Sequence, residues 1–69
     1  MNLYEKFERY CTKLPERCYI DSKLATTHLS ALNRFIGPYL KRNNVKIILS
    51  TQLIDEQLYY IVEDVIERR

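Results

Sequence analysis

The sequence predicts a small single α+β domain over residues 1–69, two to three helices followed by a strand or hairpin. Three observations lead there. A polar-punctuated helical stripe opens the chain, a second helical pattern runs through its middle, and β-branched runs crowd its last third. The competing architecture is an all-α three-helix bundle, and it follows if residues 53–67 are helical. With 46% hydrophobic and 29% charged residues and a single Gly, the composition is that of a folded chain and not a disordered tail. Sixty-nine residues lie near the size where one core is only marginally stabilising. Pairing of two copies is one way to gain buried area.

Taken in order, Asn2 followed by Glu5 has the form of a capping box. Leu3, Phe7, Tyr10, Cys11 and Leu14 then fall on one helical stripe, with Glu5, Lys6, Glu8, Arg9 and Lys13 elsewhere. This spacing predicts a first helix over about residues 2–14, stopped by Pro15. Cys18-Tyr19-Ile20 reads as a short strand, and Asp21-Ser22 as the N-cap of a second helix. Leu24, Ala25, Leu29, Leu32, Phe35 and Ile36 recur at helical spacing behind that cap. Gly37-Pro38 predicts a kink, with a short helix resuming through Tyr39–Arg42, since Pro suits a first helical turn. Asn43-Asn44 is the exit, because Asn accepts the left-handed conformation.

Val45-Lys46-Ile47-Ile48-Leu49 is apolar on both faces and predicts a buried strand. The stretch after it supports two readings. Ile54, Leu58, Ile61 and Val65 form a helical stripe, with Asp55 and Glu56 early and Arg68 and Arg69 late, as a helix dipole prefers. Leu58-Tyr59-Tyr60-Ile61-Val62 has high β propensity, and Asp55-Glu56-Gln57 would then be a hairpin tip. The hairpin is the reading we carry forward.

Charge is segregated along the chain. From Ser22 to Ile54 there is no acidic residue, while Lys23, Arg34, Lys41, Arg42 and Lys46 give a net of +5 in a chain whose total is +2. The preceding segment is neutral, and the following one carries −3. An acid-free basic run makes nucleic acid the first partner to consider. Within it, Thr26, Thr27, His28 and Ser30 offer short polar groups for phosphate. Asn33 and Arg34 can pair in two-pronged fashion with adenine and guanine edges, and Lys23, Lys41, Arg42 and Lys46 add sequence-independent attraction. All of this depends on those cations sharing one exposed surface.

Other chemistries have little in the sequence to recommend them. Cys11 and Cys18 have neither the number nor the spacing of a disulfide scaffold or a zinc site, and read as small buried reduced thiols. The one histidine, His28, has no Cys or carboxylate at i+3 or i+4. One Gly cannot form a phosphate-cradling loop. We expect no enzyme, no metal and no cofactor. No apolar run approaches the roughly 18–20 residues of a membrane span. No basic segment precedes an apolar leader-like stretch either, so a cytoplasmic protein is expected.

The order helix, short strand, helix, helix, strand, returning strand resembles that of a winged helix-turn-helix domain. Ile20-Asp-Ser-Lys-Leu-Ala25 resembles the small strand leading into the second helix. Leu32-Asn-Arg-Phe-Ile36 resembles the inner face of a recognition helix, and Leu40-Lys-Arg-Asn-Asn-Val45 the exit into the first wing strand. The match covers most of residues 18–63. It departs at Gly37-Pro38, inside the recognition helix, and at an acidic wing tip, Asp55-Glu56, which phosphate would repel. The resemblance implies a small DNA-binding transcription regulator, dimeric, whose wing packs or pairs with a second subunit. Surplus apolar residues at Tyr59, Tyr60, Ile61, Val62, Val65 and Ile66 suggest that contact. Size, tyrosine richness and charge polarity equally suit a small protein-binding module or inhibitor of the phage or mobile-element type, docking on a host protein.

Overall fold

The computed structural model describes residues 2–68. It is α+β, with two helices packed on one face of a four-stranded antiparallel sheet. The elements are α1 (Leu3–Tyr10) running into a 3-10 turn (Cys11–Lys13), β1 (Cys18–Ile20), β2 (Lys23–Thr26), α2 (Leu29–Asn43), β3 (Val45–Ile54) and β4 (Gln57–Glu67). The strands lie in the order β1-β2-β4-β3.

The capping box is present: the Glu5 N–H donates to the Asn2 side chain at 2.8 Å and the Glu5 carboxylate accepts the Asn2 N–H. The α-helix is shorter than its apolar stripe predicts, because the 3-10 turn carries Cys11 inward before Leu14 turns extended ahead of Pro15. Asp21-Ser22 does not cap a helix. Both residues take positive φ (50° and 66°) and form the two-residue turn of the β1–β2 hairpin, so Leu24 and Ala25 are strand residues. The second helix therefore begins at Leu29 and runs unbroken to Asn43, one element where two were expected. Gly37 has open space around it, and Pro38 lies on the solvent side. The N–H that Pro38 lacks would have served the carbonyl of Arg34, which shares that side, so water can replace it without a kink. Asn44 ends the helix in the left-handed conformation, φ 54°, as its sequence position predicts.

Residues 45–67 form the hairpin, and the all-α alternative is excluded. Its turn is Asp55-Glu56, φ 49° and 67°. Pairing shifts between Ile48↔Asp64 and Leu49↔Val62, leaving Glu63 as an extra residue on β4. That bulge lets Val62 and Val65, three apart, both face the helices, and turns Glu63 and Asp64 to the opposite face.

The core joins Phe7, Cys11 and Leu14 to Leu24, to Leu32 and Ile36 of α2, and to Val45, Val62 and Val65. Full burial of side chains of this size stabilises by about 1.5–3 kcal/mol each. The helices meet through aromatic rings: Tyr10 lies 4.6 Å from Tyr39 and 5.1 Å from Phe35 between centroids, and Phe7 meets Tyr39 edge-on at 5.8 Å. The Tyr10 hydroxyl also donates to the Phe35 carbonyl at 2.9 Å. These contacts fix which side of α2 turns outward.

Candidate nucleic-acid interface

With Leu32 and Ile36 buried, helical geometry puts Ser30, Asn33, Arg34 and Lys41 along the outer side of α2, and all four are exposed. Arg42 flanks this stripe and is exposed as well. From Ser30 to Lys41 the stripe is about 16 Å long at the helical rise. No acidic residue lies anywhere in α2. Lys41 and Arg42 occupy its last turn, where they also complement the helix dipole. Beside Arg34, a shallow apolar groove is lined by Pro15, Ala31 and Phe35.

At the other end, His28 takes the N-cap position with no side-chain cap bond, and is exposed. Thr27 is half-buried next to it. Thr26 is not a contact residue. It is 1% exposed, its hydroxyl donates to the Pro15 carbonyl at 3.0 Å, and its oxygen accepts the His28 N–H at 3.2 Å. The hydroxyl that the sequence offered to phosphate instead fixes the entry to α2.

The five cations of the acid-free run do not share one surface, so the single basic face expected from the sequence does not form and only the three on α2 remain to carry a nucleic-acid reading. Arg34, Lys41 and Arg42 lie on α2. Lys46 sits between the inward-packed Val45 and Ile47, so strand alternation turns it to the far face of the sheet. Lys23, next to buried Leu24, faces the same way, where its ammonium meets Glu63. Sheet alternation decides this, and the helical spacing expected for Lys23–Ala25 does not contain it.

The set expected to contact a second subunit is also divided. Ile61, Val62 and Val65 are buried within the chain, on a strand flanked by β2 and β3, so they are closed to a partner. Tyr59, Tyr60 and Ile66 are half-buried. Large apolar exposure lies instead at Ile48, Leu49, Leu53 and Leu58 of the hairpin, with Tyr19 on β1. The acid-free run did not single these out.

The thiols are placed for packing. Cys11 is fully buried, and burial pushes its pKa up to about 12, with Glu8 adding to the rise and Arg17 opposing it. Such a thiol is a poor nucleophile at neutral pH. Cys18, whose pKa burial also raises, directs its sulfur to the Ala25 carbonyl at 3.6 Å. Among the described residues, no three His, Cys, Asp or Glu side chains gather as a metal site, and no helix is long and apolar enough to cross a membrane. No protein-family model, curated protein or solved structure matches the chain.

Proposed function

We propose that the protein binds duplex DNA through α2 as a small non-enzymatic regulator, in the manner of a winged helix. The observation that carries this is the outer stripe of α2: Ser30, Asn33, Arg34 and Lys41, with Arg42 beside it, on a 15-residue helix free of acid and held rigidly from behind. A helix fits the major groove, where Asn33 and Arg34 read base edges. Thr27, His28, Ser30, Lys41 and Arg42 hold phosphates at either end of the stripe. The β3–β4 hairpin follows α2 in the chain, as a wing follows a recognition helix, and phosphate would repel its acidic Asp55-Glu56 turn. Lys23 and Lys46 lie outside this surface. The setting that fits this role is cytoplasmic.

Gel shift of a duplex library at low and moderate salt tests the reading. Binding is expected at about 50 mM salt and to weaken steeply towards 200 mM, as release of counterions requires. An absence of duplex binding at the lower salt overturns it.

A second reading rests on the outer end of the hairpin, where Leu53 and Leu58 are 69% and 40% exposed. Leucines in that position suit a protein-binding module of the inhibitor type. Capture of one stoichiometric protein partner, unchanged by nuclease treatment, would favour it over the first.

A further inference from the structure

We propose that β3 is a self-pairing edge: two copies join antiparallel along Val45–Ile54, so that their four-stranded sheets become one continuous sheet of eight. The strand order leaves β3 and β1 as the two edges. β1 is three residues long, and short edges resist pairing. β3 is ten residues long, about 33 Å of strand with one side of its backbone unpaired within the chain. It also lacks the usual guards. It holds no proline, the extra residue of the bulge sits on β4, and its single charge, Lys46, lies at one end. Along it, Ile48, Leu49 and Leu53 are 44%, 37% and 69% exposed.

Charge selects a second copy, and its direction, as the occupant. The base of β3 is basic: Lys46 on the strand, with Lys41 and Arg42 in the helical turn that leads into it. The far end is acidic, at the exposed Asp55-Glu56 turn. An antiparallel pair centred near Ser50 sets each basic base against its partner's acidic turn, twice by symmetry. Parallel pairing would set like against like. The contact is isologous, so it closes at two copies. It lies on the sheet edge and leaves Ser30, Asn33 and Arg34 of α2 open, with Lys41 and Arg42 close to the partner's acidic turn, and it does not rest on nucleic-acid binding.

Sedimentation of the DNA-free protein over a concentration series tests this. A monomer–dimer equilibrium is expected for the unaltered chain. Lys46→Glu should weaken it about five- to tenfold, and adding Glu56→Lys to that variant should restore it. Leu53→Lys, at the most exposed of these positions, should give a folded monomer by circular dichroism. A chain that stays monomeric at about 0.5 mM overturns the proposal. So does a dimer that Lys46→Glu and Leu53→Lys leave unchanged, which would place the contact elsewhere.

Discussion

The Lys23 ammonium donates to the backbone carbonyl of Glu63 at 2.9 Å and lies 3.8 Å from the same residue's carboxylate. This pair ties the edge of β2 to the bulge of β4, on the face of the sheet away from α2. Both side chains are half-exposed, so the ion pair itself contributes at most about 1 kcal/mol. Its consequence for binding is larger, because a cation matched in this way is no longer available to phosphate. Lys23→Ala is expected to change duplex affinity by less than about twofold. Lys41→Ala should weaken all sequences alike and reduce the salt slope by about 1, and Arg34→Ala should relax sequence preference. Anisotropy titrations of the three variants against two unrelated duplexes check the contrast.

The Tyr4 hydroxyl accepts the Leu24 N–H at 2.9 Å and donates to the Val62 carbonyl. The pairing of β2 with β4 covers only Ala25↔Ile61 and Thr26↔Tyr60, so this hydroxyl bridges the strands where they part. Tyr4→Phe leaves a backbone donor and a backbone acceptor without that partner. The expected loss is about 1–3 kcal/mol, read as a lower urea midpoint at an unchanged slope.

Glu56 occupies the second turn position of the β3–β4 hairpin at φ 67°, a conformation that costs a side chain with a Cβ roughly 1 kcal/mol. Glu56→Gly should therefore stabilise the fold by about 0.5–1 kcal/mol, visible as a rise in thermal midpoint of a few degrees. A fall would mean that the Glu56 side chain makes a contact outweighing its backbone strain.

Stability should decline at alkaline pH. Burial raises the Cys11 pKa from an ordinary 9.0 to about 12, and raises that of Tyr4 against the opposing Leu24 hydrogen bond. Above pH 9 the unfolded chain releases the thiol proton that the folded chain retains, so the native state loses ground from about pH 9 to about 12. Urea midpoints across that range test the sign. Cys11 should also resist alkylation at neutral pH until the chain unfolds, while Cys18 at the sheet margin reacts sooner.

Elements defined by local chemistry were legible in the sequence. The Asn2–Glu5 capping box, the left-handed exit at Asn44 and the β-rich hairpin all follow from neighbours a few residues apart. What escaped was decided at longer range. Asp21-Ser22 lacks the glycine that usually marks a tight hairpin, so β2 passed for the first turn of a helix. Gly37-Pro38 has the form of a break, yet the packing of residues on both sides of it, buried Ile36 and half-buried Tyr39, carries the helix through. The bulge at Glu63 puts Val62 and Val65 on one face three residues apart, which the alternation of a regular strand does not predict. The candidate surface was legible to the same degree. The residues on α2 could be grouped by helical period alone, whereas the positions of Lys23, Thr26 and Lys46 depend on which face of a sheet each residue meets.

The most direct measurement is an amide chemical-shift titration of the labelled protein with a short duplex in low salt. Shifts are expected to concentrate at Ser30, Asn33, Arg34, Lys41 and Arg42 and to disappear as salt is raised, while β1 and the Lys23–Glu63 face stay still. Shifts confined to the hairpin or to the far face of the sheet, with α2 silent, would contradict binding through α2.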